Sequence, residues 1–355
     1  MDNKPKEGYY MKKLAVYVGR FRPFHSAHKS SIITALNEND NILVLVGSCG
    51  APRNNKNPFA YNEIVNMIRY CFNDEDNAKI IIEPLVDYLY DDTKWISQVQ
   101  SIVNKYSDGS EITLYGNNKD HSSFYLKFFP QYGFRNIENI TDLHSTDIRN
   151  SFFSVDNVKG NEIMIKSKVP NEVFDFLMAF RETSEFRALQ DEFIFINDYK
   201  KAWDFAPYPP IFVTCDSLVE CNGHVLMIQR KHIPGKGLWA IPGGFIGEFE
   251  NIEDAMLREL KEETRIDISK NMLKGCIKNE KVFSNPYRSL RGRTITHAYH
   301  LVLNLDYLPT VKADDDAMDC KWIPIANLME MGGVIFEDHM SICTHFLKTD
   351  AIFTF

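Results

Sequence analysis

The sequence predicts two α/β units in one chain: an N-terminal doubly wound parallel sheet, then a C-terminal α+β unit with a mixed sheet. Short β-branched runs alternate with amphipathic stretches through the first half, as in a parallel sheet wrapped by helices on both faces. The stiff stretch Ala206-Pro207-Tyr208-Pro209-Pro210 then interrupts the chain. Past it, a strand pair turning at Asn222-Gly223 leads into a helix dense in glutamate. A length of 355 residues is too great for one ordinary domain and suits two. The expected division is 1–185 for the first unit, 186–209 for a helical linker and connector, and 210–355 for the second.

In the first unit, strands are expected at Leu14–Val18, Ile42–Val46, Lys79–Ile82, Glu111–Tyr115 and Asn136–Ile140. Helices are expected near 27–38, 61–72, 94–105, 120–128 and 146–153. Residues 172–203, rich in Phe and Glu, read as one or two more helices that close the unit and lead out of it. In the second unit, Phe212–Leu218 and His224–Gln229 form the strand pair, and Thr296–Leu303 is a later strand.

Composition narrows the class. With 44% hydrophobic and 25% charged residues the chain reads as soluble and globular, and its net charge of −8 argues against general nucleic-acid binding. No apolar run approaches a membrane span, and the polar first residues argue against a signal peptide. Seven scattered cysteines without a C-x-x-C pair point to reduced thiols in the cytoplasm.

Two segments carry chemistry. In the glutamate helix, Ile252, Ala255, Met256 and Leu260 mark one apolar stripe at roughly 100° per residue. Glu259 and Glu263 fall inside it, with Glu262 at its edge and Glu250 just ahead of the helix. Carboxylates on a buried face are costly unless paired, protonated or bound to a cation, so the cluster calls for a divalent metal with oxygen ligands. In the first unit, Gly19-Arg20-Phe21-Arg22-Pro23-Phe24-His25-Ser26-Ala27-His28 follows strand one and opens helix one. Ligands of such sheets bind at the carboxyl ends of the strands, and a helix N-terminus there favours phosphate. His25 and His28, three apart, can both donate to a polyphosphate.

Gly244, Glu250 and Arg258-Glu259-Leu260-x-Glu262-Glu263 resemble the signature of the Nudix hydrolases, which cleave nucleoside diphosphates linked to another group. The family has glycine where this chain has Arg265, a position that usually leaves the helix with positive φ. The resemblance implies Mg²⁺ (or Mn²⁺) on Glu259 and Glu263, with the Gly243 carbonyl and Glu250 as further ligands and Glu262 or Glu263 in catalysis. Glu262 can equally pair with Arg258 at i and i+4 and merely hold the fold together. Arg288 and Arg291, in a loop that resembles the substrate loop of ADP-ribose-type members, suit a diphosphate or are solvated charge. Asp314-Asp315-Asp316 reads as a solvated turn.

The first segment resembles the G-x-F-x-P-x-H-x-G-H signature of the nucleotidylyltransferase superfamily, whose fold is Rossmann-like, with Ala27 in place of the last glycine. Ser145-Thr146-Asp147-Ile148-Arg149 is similar to its second signature, although His144 replaces a small or apolar residue. Pro52–Phe59, the stretch from Gly116 through Lys119 to Leu126, and Asp87 followed by Trp95 resemble archaeal-type nicotinamide mononucleotide adenylyltransferases. That likeness implies His25, His28 and Arg149 as catalytic groups. It implies nucleotide contacts from Gly19, Arg20, Phe21, Asn57, Trp95, Gly116, Lys119, Ser145 and Thr146. Trp95 would meet nicotinamide, or else simply fill the core.

Together the resemblances imply a bifunctional enzyme of bacterial NAD metabolism, with ATP, nicotinamide mononucleotide and ADP-ribose as substrates. One activity would make NAD, and the other would split ADP-ribose to AMP and ribose 5-phosphate. The alternative keeps the transferase but makes the Nudix half a non-catalytic ligand sensor or dimerisation module. A Nudix-based transcription regulator would need a basic recognition helix, which the acidic C-terminal third lacks. Small-molecule nucleotides are the expected partners, with no nucleic acid, no membrane and a homodimer as the default assembly.

Overall fold

The computed structural model describes residues 11–116, 127–137, 143–353 and 355. In the first half β1 (Lys13–Gly19), β2 (Asn41–Cys49), β3 (Ile80–Val86), β4 (Glu111–Gly116) and β5 (Gly133–Asn136) form one sheet in the order β3-β2-β1-β4-β5, all parallel. The crossovers carry α1 (Ser26–Glu38), α2 (Tyr61–Arg69), α3 (Asp74–Lys79) and α4 (Asp92–Ser107). Strand β2 is buried along nearly its whole length, as a central strand covered on both faces must be. The fifth strand lies earlier than the expected 136–140. Its four residues Gly-Phe-Arg-Asn are all exposed, so no burial pattern marked them in the sequence. Residues 138–142, and most of the helix expected at 120–128, lie outside the described residues.

Four helices follow: α5 (Ser145–Phe153), α6 (Val158–Lys168), α7 (Asn171–Arg181) and α8 (Ser184–Lys201). An aromatic core joins them to the first sheet, with Phe153 stacked on Phe186 at 5.5 Å. The segment read as a linker thus begins inside α8, whose Phe186 and Leu189 are buried in the first core.

The second sheet comprises β6 (Ile211–Cys221), β7 (His224–Arg230), β8 (Trp239–Ala240), β9 (Gly243–Phe245), β10 (Ile277–Phe283), β11 (Arg293–Leu303) and β12 (Ala317–Pro324). It is mixed: β11 pairs parallel with β6, while the β6–β7 hairpin and the β10–β11 and β7–β12 pairs are antiparallel. Asn222 and Gly223 turn the hairpin with φ of 47° and 71°, as a two-residue loop with left-handed residues requires. The helices of this half are α9 (Ile252–Thr264), α10 (Lys270–Gly275), α11 (Ile325–Met329) and α12 (His339–Leu347). No helix among the described residues is long and apolar enough to cross a membrane.

Candidate active sites

The first site stands at the carboxyl end of β1. His25 is the N-cap of α1, and the two histidines cap the helix reciprocally. His25 Nδ1 accepts from the His28 amide at 3.4 Å, and His28 Nδ1 accepts from the His25 amide at 3.3 Å. This serves two otherwise unpaired N–H groups and stacks the rings with centroids 3.5 Å apart. Since both Nδ1 atoms accept, the proton of each neutral ring sits on Nε2. Burial, with His144 nearby, pushes the His25 pKa down to about 3. Burial and then His25 hold His28 well below the usual histidine range. At neutral pH the pair therefore offers two N–H donors rather than positive charge.

Charge comes from the neighbours. Arg149, on α5, is 8% exposed. It donates through Nη1 to the Arg22 carbonyl at 2.7 Å and through Nη2 to Thr146 Oγ1 at 3.1 Å. Burial, then Arg20 and Arg22, bring its pKa down to about 10. Lys56 falls to about 8, through burial first and then the nearby Arg20 and Arg149, with Asp87 opposing. Such a group of cations repels itself and is relieved by a bound polyanion.

Other expected contacts are rearranged. Ser145 is the first residue of α5, whose N-cap is His144, and its Oγ donates to the Pro23 carbonyl at 3.4 Å. Phe21 lies buried beneath His28, edge-on at 4.9 Å, and its ring rests against Gly19. Its ring supports the histidines. Trp95 is half-buried and packs 6.1 Å from Phe129 in a core cluster. Asp87, near it in sequence, accepts from Ser48 Oγ at 2.5 Å. Asn57 Oδ1 is buried with no partner among the described residues. Gly116 closes β4, its carbonyl accepting from Ile137 at 2.8 Å, and Lys119 lies outside the described residues. Lys56 carries no role in the sequence reading, since nothing local reveals that a loop lysine will be half-buried beside other cations.

The second site is built where α9 crosses β9. Glu263, 4% exposed, accepts from the Gly243 amide at 2.9 Å. A Cβ on Gly244 would stand 2.5 Å from the Glu259 carboxylate and displace it, so glycine here leaves that carboxylate in its place. Burial, reinforced by Glu259, raises the Glu263 pKa well above the usual range, and burial likewise raises that of Glu259. These two carboxylates share a cavity with Asp216, Arg230 and the loop arginines Arg288 and Arg291.

Arg258 binds the remaining acids. Its Nε and Nη2 each meet a different Glu250 oxygen at 2.9 Å, and Nη1 meets Glu259 at 2.8 Å and Glu262 at 2.9 Å. Glu250 is thereby engaged through both oxygens as a clasp on Arg258. Glu262 is held the same way, in the pairing the sequence allowed. Arg265 adopts the glycine-like conformation, φ 44°, and its Nε donates to Asp314 at 2.7 Å. Asp314–Asp316 is the solvated turn expected, all three exposed; Asp314 also fastens the end of α9, and Asp315 and Asp316 stand at the rim of the acidic cavity. The sequence reading also missed Asp216. An acid inside a strand buried on both faces was the available signal.

Among the described residues no three metal-ligating side chains converge as a ready-made cage. Mg²⁺ keeps several waters and is commonly held by one or two carboxylates plus substrate phosphate oxygens. Buried Glu263, with the partly buried Glu259 beside it, fits that mode.

Residues 213–340 match the NUDIX domain family, and residues 16–150 match the cytidylyltransferase-like family. Over 180 residues the chain is 34% identical to a nicotinamide/nicotinic acid mononucleotide adenylyltransferase of Acinetobacter baylyi, covering 50% of this chain and 92% of that one. Over 137 residues it is 34% identical to an ADP-ribose pyrophosphatase of Methanocaldococcus jannaschii, covering 38% and 73%. One solved structure spans both halves: a bifunctional NMN adenylyltransferase/ADP-ribose pyrophosphatase from Francisella tularensis, complexed with AMP and a manganese ion. It is 35% identical, covers 95% of this chain and 99% of its own, and superposes with a TM-score of 0.86. This chain belongs to that bifunctional family. Among family features, the two signature loops of the adenylyltransferase half meet here through Arg149 and the Arg22 carbonyl. The Nudix half keeps its helix acids, with Arg265 as its departure.

Proposed function

We propose that this chain makes NAD from ATP and nicotinamide mononucleotide, and hydrolyses ADP-ribose with Mg²⁺ or Mn²⁺. The carrying observation is the presence, in one polypeptide, of both donor sets: stacked neutral histidines beside buried cations, and buried acids beside loop arginines. In the first reaction a phosphate oxygen of nicotinamide mononucleotide attacks the α-phosphorus of ATP. The bond to the β-phosphate oxygen breaks and pyrophosphate leaves. His25 and His28 donate through Nε2, while Arg20, Lys56 and Arg149 neutralise charge and align the triphosphate; such transfer needs placement more than a covalent nucleophile.

In the second reaction water attacks the diphosphate of ADP-ribose, giving AMP and ribose 5-phosphate. Glu259 and Glu263 would hold the metal, with the Gly243 carbonyl as a further ligand. When bound, it would offset the charge of the diphosphate and acidify a water molecule. Arg288 and Arg291 face the substrate, and Arg258 with Glu250 and Glu262 keeps the helix in place. A non-catalytic Nudix half is disfavoured, because the acids are retained and Glu259 and Glu263 meet in one cavity. All seven cysteines are free thiols, which suits the cytoplasm, where we place the protein. Incubation with ATP, nicotinamide mononucleotide and Mg²⁺ should yield NAD, and incubation with ADP-ribose and Mg²⁺ should yield AMP. Absence of either product overturns that half of the reading.

A further inference from the structure

Between β3 and α4, the adenylyltransferase half sends one side chain into the hydrolase half. Tyr90 donates its hydroxyl to Asp338 Oδ2 at 2.5 Å, and its ring meets Phe283 edge-on at 5.1 Å. Asp338, fully buried at the start of α12, holds Arg288 through a bidentate pair with both bonds at 2.9 Å. The Arg288 side chain is 3% exposed, yet it lines the hydrolase cavity. It also lines the cleft between the halves, together with Asp87 and Lys56. Burial first, and then Asp338, raise the Tyr90 pKa, so the hydroxyl stays protonated and donating. Asn285 adds a second tie, donating to the Leu89 carbonyl at 3.0 Å.

We infer that Tyr90 is a positioning residue for ADP-ribose hydrolysis, acting from the other domain by locking the Asp338–Arg288 pair that walls the hydrolase pocket. Two of the five Arg288 N–H donors are spent on Asp338, which leaves both on Nη1 and one on Nη2 for the substrate. A bidentate guanidinium fork is directional, so its aim depends on how firmly the carboxylate is held. The Tyr90 hydroxyl and Arg288 Nε share Asp338 Oδ2, and Tyr90 comes from a segment three residues beyond Asp87. The hydrolase pocket is therefore completed by the transferase half. The inference rests on the proposed hydrolysis of ADP-ribose.

The test compares the full-length Tyr90→Phe protein with wild type in both assays. The ring stays on Phe283 and only the hydroxyl is lost. KM for ADP-ribose should rise about five-fold with kcat within about two-fold, since Arg288 contributes ground-state binding. NAD synthesis in the same preparation should not change, which also reports that the protein is folded. Lys94→Ala, which removes a different interdomain ion pair (Lys94–Asp350), should leave both KM values unchanged. An unchanged KM in Tyr90→Phe, a fall in kcat alone, or an equal rise in Lys94→Ala overturns the inference. Failure of the wild type to release AMP overturns instead the hydrolase reading beneath it.

Discussion

Both halves of this chain handle phosphate, and they do so with opposite charge. At the end of β1, buried Arg22 and Arg149 and a half-buried Lys56 accompany two neutral imidazoles, and Arg149 and Lys56 are held below their usual pKa. At α9, buried carboxylates are held above theirs. The first site is poised for an anion and meets a nucleotide directly. The second repels a diphosphate until a cation intervenes. Burial pushes each set toward neutrality, so each marks the charge of what it awaits.

The strongest break between the sites should come from Glu263→Gln. Hydrolysis should fall on the order of 10³-fold while NAD synthesis stays unchanged, measured by release of AMP and of NAD from one preparation. Next is His28→Ala, which removes one Nε2 donor and its half of the reciprocal cap. NAD synthesis should fall on the order of 10²–10³-fold, with hydrolysis intact. Near-normal adenylyl transfer would disprove the donor assignment.

A smaller effect sharpens the charge contrast through pH. With its pKa lowered to about 8, Lys56 loses its proton as pH rises through that value, whereas a bound phosphate favours the charged form. KM for at least one of the two nucleotides should therefore climb above pH 8. Lys56→Arg should flatten that rise, because arginine stays charged. His25 has the reverse consequence for the fold. Its native pKa of about 3 lies below the unfolded 6.5, so it contributes stability above pH 6.5 that is lost as pH falls toward 3. The smallest effect belongs to Arg265→Gly. Relieving a left-handed arginine should raise stability by roughly 0.5–1 kcal/mol in a denaturant titration and change hydrolysis by less than about two-fold.

Much of this was legible where local periodicity carries the information. Glu259 and Glu263 were visible as acids on an apolar stripe, and both lie on the buried side of α9. The Asn222-Gly223 turn and the strand–loop–helix around Gly19 were equally plain, because turn chemistry and β-branched runs are local. What escaped depends on distant contacts or on the absence of a burial pattern. Strand β5 is exposed along its length, and α3 and α6 bury little apolar surface of their own. The histidines were read as donors, but their service as each other's cap appears only once the backbone is folded. Arg288 read as a diphosphate contact or as solvated loop charge, and neither reading includes its buried pairing. Its partner Asp338 lies 50 residues away, and Tyr90 is in the other half.

The contrast rests most directly on whether the acidic cleft takes up a cation by itself. Electron paramagnetic resonance of Mn²⁺ titrated into the nucleotide-free protein measures this. The wild type should quench the signal of the free ion, and a Glu259→Gln, Glu263→Gln double variant should not, while still making NAD. A double variant that captured Mn²⁺ as tightly as the wild type and still released AMP from ADP-ribose would contradict the account.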